Sequence, residues 1–158
     1  MSHTTIWRVY KTKARPAKEF SNSWRSAPPL WDFMAKKYLG WDSWFGRTSE
    51  LQKLWDLCGD ERVPEHFRLT MQMTMDRVFV RCDRVIEVAK AMTQVGNELP
   101  ISNHWRGIAA FLENEKPAPR QLGWGIGCTS VSDPWGGEFK GNCTEIKFGN
   151  KDIGGKKR

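Results

Sequence analysis

Side chains able to do acid–base chemistry are sparse in this chain. Three histidines stand among 158 residues. His3-Thr4-Thr5 fits the His-x-Thr half of a two-histidine phosphodiesterase site, where one imidazole serves as base and another as acid on a single phosphate. The other half is missing, because His66 is followed by Phe67-Arg68 and His104 by Trp105-Arg106. His104 stands in the first turn of an expected helix beside Arg106, a position that favours an anion. A surface or capping histidine is the plainer reading. Asp76, Asp83, Glu65, Glu87 and His66 complete the acid–base candidates, and nothing in their spacing brings them together.

Gly123-x-Gly125-x-Gly127 has the composition of a phosphate-cradling loop. Such a loop needs a helix N-terminus after it, so that backbone N–H groups and the helix dipole meet the phosphate. Here Cys128-Thr-Ser-Val131 follows and reads as extended. The glycines are better explained as places where a neighbouring backbone or aromatic ring comes close. Cys58, Cys82, Cys128 and Cys143 are widely spaced, without Cys-x-x-Cys or a close histidine pair, so a zinc ribbon or finger is not expected. Cys128 and Cys143 flank a turn-rich segment and are read as reduced, buried thiols. Neither a cofactor nor a metal is expected.

The stronger signal is aromatic and cationic. Six of nine tryptophans, Trp7, Trp24, Trp31, Trp41, Trp44 and Trp55, fall within the first 55 residues. That segment holds ten Lys/Arg against four Asp/Glu, whereas residues 56–115 hold seven against ten and residues 116–158 eight against four. The net charge is +7, which favours an anionic partner. Arg8, Lys11, Lys13, Arg15, Lys18 and Arg25 interleave with Trp7, Tyr10, Phe20 and Trp24. Cations track phosphates while flat rings stack on bases, and the same types anchor protein interfaces. Trp41 and Trp44, in the aromatic connector 41–47, and Trp135, at a Pro/Gly loop tip, join these as binding candidates. Trp55 and Trp105 sit on apolar helical stripes and read as core, with Trp31 and Trp124 as structural.

These side chains must be positioned by an α+β domain. Residues 5–12 alternate as a strand, and 13–22 read as a loop. Ser26-Ala27-Pro28-Pro29 opens a helix that Gly40 closes in the left-handed conformation. Leu51, Leu54, Trp55 and Cys58 form a second helical stripe. The middle is ambiguous. Leu69, Met71, Met73 and Met75 alternate with polar residues, yet Phe67, Met71, Met75, Val78, Cys82 and Val85 follow helical spacing. One reading is a single helix over 64–95. The favoured one is a strand near 67–75, an extended piece at 77–81, and a helix from about Asp83, because a 32-residue helix far exceeds the average of about 11–12 and Val78-Phe79-Val80 is β-forming. The methionines are expected in the core. Ser102 caps a further helix through Leu112, Lys116 to Pro119 is a stiff break, and 123–131 pairs with 143–148 as a C-terminal hairpin.

The expected architecture is therefore a single α+β domain over residues 1–148. A small antiparallel sheet, built from the N-terminal strand, a middle strand and the C-terminal hairpin, packs with about four helices. A basic, Gly/Lys-rich tail over 149–158 is expected to be disordered. No apolar run approaches the ~20 residues of a membrane span and no signal-peptide pattern is visible, so a cytoplasmic protein without a membrane partner is expected. The leading functional expectation is a non-enzymatic binding protein. It would engage nucleic acid, or a nucleic-acid-handling complex, through its basic, Trp-rich surface. The alternative is a small inhibitor or accessory protein, of the kind bacteriophages encode, that occludes a host protein, for example a defence or nucleic-acid-processing complex, by protein–protein contact with an acidic surface of that partner. A phosphate-ester enzyme using His3 or His104 is the third reading.

Overall fold

Every second residue from Gly123 to Gly127 is glycine, and this strand lies inside the sheet. A computed structural model describes residues 3–21, 27–74, 78–99, 103–129 and 144–149. Five strands, β1 (His3–Val9), β2 (Ala14–Ser21), β3 (Val78–Arg81), β4 (Gly123–Thr129) and β5 (Thr144–Glu145), form one sheet in the order β2-β1-β4-β3-β5. Pairings are antiparallel except β3 with β5, which is parallel. The helices are α1 (Ala27–Met34), α2 (Leu51–Trp55), α3 (Glu65–Gln72), α4 (Val85–Glu98) and α5 (His104–Asn114). A single compact α+β domain with a small sheet results, as the residue pattern implies.

Alternation divides the sheet into two faces. Ile6, Val78, Val80, Trp124 and Ile126 join the helices in the main core. Trp7, Val9, Ala14 and Phe79 make a separate cluster on the opposite face. On that face β4 presents only glycines, and register sets Trp7 and Phe79 on either side of Gly125. A Cβ at Gly123 would stand 2.6 Å from Phe79 Cε1, so the glycine leaves room for a neighbouring ring. The α1 helix runs on through a wider turn at Ala35–Leu39 and is closed by Gly40 at φ 70°, whose N–H reaches the Ala35 carbonyl.

Three expectations are corrected. Residues 13–22 are not a loop: β2 spans most of them. Between Ile6 and Trp7 the register slips, pairing Trp7 with Pro16 and Ile6 with Lys18 and leaving Ala17 as an extra residue. Proline lacks the ladder N–H, and a bulge on an edge strand accommodates it. The bulge also breaks the alternation that would have announced the strand.

Residues 67–75 are not a strand either. Glu65–Gln72 is helical, with Phe67 N and Arg68 N bonded to the Pro64 carbonyl. Leu69 through Thr74 are all buried, polar residues included, and in a segment covered on every side the alternation of residue types does not tell strand from helix. Met71 and Met73 are core, as expected, and Met75 lies outside the described residues.

The C-terminal hairpin is also absent. Its first strand, β4, lies between β1 and β3, and its second, β5, runs beside β3, which makes the sheet mixed rather than antiparallel. The Gln72 side chain holds the following residues in place: its Nε2 donates to the Lys147 carbonyl at 2.8 Å and its Oε1 accepts from Lys147 N at 3.0 Å. Residues 150–158 lie outside the described residues. Among those described, no helix is long and apolar enough to cross a membrane.

Candidate nucleic-acid interface

The turn between β1 and β2 is closed by Tyr10 N donating to the Lys13 carbonyl at 2.8 Å. It brings Tyr10, Lys11, Thr12 and Lys13 to the end of the sheet, with Arg15 beside them on β2. Residues 115–122 are bound next to this tip, and Arg8 binds them. Its guanidinium donates to the Lys116 carbonyl, to Gln121 Oε1 at 2.8 Å and to Glu115 Oε2 at 2.8 Å, and lies 4.7 Å from the centre of the Trp124 ring. Leu122 N donates to the Val9 carbonyl. Gln121 Oε1 also accepts from Ala118 N, and Gln121 Nε2 donates to the Gly123 carbonyl. Arg8 is thus spent inside the fold. It orients the segment that carries Pro119 and Arg120.

Ala118 to Gln121 forms a turn, with Gln121 N bonded to the Ala118 carbonyl and Arg120 at φ 68°. Proline second and a positive φ third is the pattern of a type II turn, whose third position favours glycine. Arginine holds it at a cost of about 1 kcal/mol. Together the two turns enclose an open cavity of 490 Å³ lined by Tyr10, Lys11, Thr12, Lys13, Arg15, Pro119 and Arg120. Four of the seven are cations and none is a carboxylate. Among the described residues, Lys11, Lys13, Arg15 and Arg120 form no ion pair. Four other arginines are neutralised, Arg47 by Glu50, Arg62 by Asp60, Arg81 by Asp83 and Arg84 by Glu87, while Arg68 and Arg106 bond to carbonyl and amide oxygens.

The other candidate residues are dispersed. Trp7 is 4% exposed and Trp41 7%, so neither ring offers a surface to a partner. Trp41 carries the Arg47 guanidinium 5.0 Å from its ring centre. Trp44 is half-buried against Trp31, and the connector is pinned by Asp32, which accepts from Ser43 Oγ at 2.7 Å and Trp44 N at 2.9 Å. That leaves Phe45, 79% exposed, as the aromatic the connector presents. Lys18 is exposed on β2 beside Phe20. Trp24, Arg25 and Trp135 lie outside the described residues. Sequence reasoning missed Arg120, Pro119 and Thr12. No local signal places position 120 beside position 10, since long-range contacts join them: β1–β4 pairing and the Arg8 hydrogen bonds to residues 115–121.

The acid–base candidates divide. His104, the first residue of α5, packs against β1, its Nε2 sharing a 3.0 Å hydrogen bond with Thr4 Oγ1 and its ring edge-on to Phe20 and Trp105. Burial pushes its pKa down to about 4, so it is neutral at pH 7 and part of the packing. Glu65, His66 and Glu87 do meet, around a 340 Å³ hollow between α3 and α4 that Lys90 and Gln94 also line. His66 Nε2 is 3.1 Å from the Glu98 carboxylate, and Glu87 is paired with Arg84. Asp83 is paired with Arg81. Among the described residues, no three His, Cys, Asp or Glu side chains are grouped to hold a metal ion. The Cys58 thiol is free, and burial pushes it up to about 12, which keeps it protonated and unreactive. Against protein-family models, curated proteins and solved structures, the chain has no match.

Arg120 supplies a test of the site with opposite signs. Arg120→Gly relieves the left-handed backbone and removes one cation. The melting temperature is expected to rise by about 2–4 °C, while affinity for an anionic partner falls about fivefold. Thermal melts and a binding titration on one preparation read both, and a variant that loses stability shows that the turn is not strained.

Proposed function

We propose that the protein is a non-enzymatic nucleic-acid-binding module that works through the β1–β2 tip. The observation that carries this reading is that four cations, Lys11, Lys13, Arg15 and Arg120, line one cavity together with Tyr10 and form no ion pair among the described residues. Phosphates neutralised by such cations release counterions, so affinity falls with salt at a log–log slope of about −0.9 per contact on duplex, and about −0.7 on single strands. Four contacts give a slope near −3 to −4.

A labelled oligonucleotide titrated by fluorescence anisotropy between 50 and 300 mM salt, two values chosen for the assay, tests it. The variant K11E/K13E/R15E/R120E is expected to keep its circular dichroism and melting temperature and to lose at least about 100-fold in affinity at low salt. Undiminished binding by the folded variant rules the tip out. A second reading rests on Phe45. One large ring exposed beside the half-buried Trp44 is the form of an interface anchor, so protein–protein occlusion predicts a specific partner that survives nuclease treatment and is lost on Phe45→Ser, with oligonucleotide binding unchanged.

A further inference from the structure

We infer that the tip cavity takes one unpaired nucleotide, its base laid on Tyr10 and its phosphates among Lys11, Lys13, Arg15 and Arg120, so that the ligand is a single strand of DNA or RNA rather than a duplex. This rests on the nucleic-acid reading above and narrows it.

The shape of the site carries the inference. A duplex reader inserts a convex helix or ribbon into a groove and lays its cations along it. Here the cations ring a concavity of 490 Å³. Cavities of about 300–1,000 Å³ bury small organic ligands, and a nucleotide is of that size. A duplex keeps its bases stacked inside and cannot deliver one to such a hollow without unpairing it.

The lining matches the two halves of a nucleotide. Tyr10 and Pro119 give flat or apolar wall, and every base has a face to lay on such a ring. The four cations give the anionic half its partners. The Lys13 ammonium is 5.8 Å from the Tyr10 ring centre, so ring and charge already share one side of the cavity. Both walls are preformed. The Tyr10–Lys13 hydrogen bond closes one turn, and Arg8 and Gln121 hold the other, including the left-handed Arg120. Backbone strain retained at a pocket wall is a mark of a functional position.

β2 offers the strand a way out. Arg15 and Lys18 pair with Arg8 and Ile6, which are two apart on β1 and share a face. Lys18 therefore projects on the Arg15 side, about 10 Å further along β2 at roughly 3.3 Å per residue. Both are exposed. A single strand with one base in the cavity would run along this edge and meet a further cation.

The test compares a ten-nucleotide oligo(dT), the matching oligo(rU), and a blunt DNA hairpin duplex, by anisotropy at low salt. The single strands are expected to bind at least about tenfold tighter than the duplex. Tyr10→Ala is expected to lose about tenfold on single strands and nothing on duplex, with Tyr10→Phe retaining wild-type affinity. Tyr10→Leu, which keeps apolar bulk under the turn, separates stacking from folding: it must melt like wild type and still lose single-strand affinity. Tighter binding of one of the two strands tells DNA from RNA with the inference standing. Equal affinity for single strand and duplex, with Tyr10 variants neutral, overturns it. If K11E/K13E/R15E/R120E still abolishes binding in that case, the general reading survives alone. No binding to any of the three removes both.

Discussion

Gly123→Ala is expected to lower the melting temperature by about 10 °C. A Cβ at this position would meet the Val80 carbonyl oxygen at 2.2 Å and Phe79 Cε1 and Cζ at 2.6 and 2.8 Å. None of these is the free end of a flexible chain. The first is backbone of the neighbouring strand, and the other two belong to a ring in the cluster with Trp7 and Val9. β4 cannot shift to relieve the contact, because β1 holds it on one edge and β3 on the other. Overpacking typically costs about 1–3 kcal/mol, and a contact this short against backbone stands at the upper end, which for a chain of this length is about 10 °C. Gly107→Ala is the contrasting change. Its Cβ would come no nearer than 3.5 Å to Phe20, and it stands inside α5, where alanine is the better helix former. That variant is expected to gain about 0.5–1 kcal/mol. Thermal melts by circular dichroism check both, and a Gly123→Ala protein that melts within a few degrees of wild type would falsify the close approach.

Acid should unfold the protein partly through His104. In the unfolded chain its imidazole titrates near 6.5, and in the folded chain burial lowers that to about 4. Above pH 6.5 neither state takes the proton. As pH falls from 6.5 towards 4, the unfolded chain binds a proton that the folded chain refuses, so stability drains away across that window and this contribution is flat below it. The whole shift is worth at most about 3 kcal/mol, against a total stability of about 5–15 kcal/mol for a typical domain. The structural cause is burial of the ring in the site between Thr4, Phe20 and Trp105, which disfavours its charged form. Urea unfolding at pH 7.5 and at pH 4.5, two values chosen for the assay, is expected to show about 2 kcal/mol less stability at the lower pH in wild type. His104→Gln keeps a polar atom for Thr4 and cannot titrate, so most of that difference should vanish. A His104→Gln protein as acid-sensitive as wild type would assign the loss to carboxylates instead. Glu98, held below its ordinary range by His66 and Gln94, and Asp60, held there by Arg62, are the groups that begin to protonate lower in pH.

Elements with one wet face and one dry face were legible. The stripes of α4 and α5 and the closure of α1 at Gly40 follow from residue spacing, because each helix buries a single side, whereas β1 is covered on both faces, Ile6 in the main core and Trp7 and Val9 in the opposite cluster. Gly123 of β4 was legible as a close-approach position. Two kinds of segment were not. The end of α3 and the turn after it, Leu69 to Thr74, are buried all round, so this stretch fitted period 2 and period 3.6 alike. β2 is an edge strand bent by a bulge at Ala17, so it shows no alternation.

The candidate site divides in the same way. Tyr10, Lys11, Lys13 and Arg15 are near neighbours in the chain, and a cationic, aromatic cluster around them is evident from residue types alone. Arg8 belongs to the same run, and only its contacts reveal that Glu115, Gln121 and Trp124 use it within the fold. Trp7 and Trp41 likewise drew attention by type and lie in the interior.

Sequence alone determined an α+β domain with basic ends, an acidic middle and a cationic–aromatic stretch near the N-terminus. It did so because propensity, periodicity and charge are local quantities. Tertiary structure alone decided that Arg8 is paired within the fold, that Trp7 is buried, and that Arg120 lines the same cavity as Lys11. Those depend on β1–β4 pairing between segments more than a hundred residues apart, and that pairing is fixed by how Ile6, Trp124 and Ile126 share one core, to which no short stretch of sequence testifies.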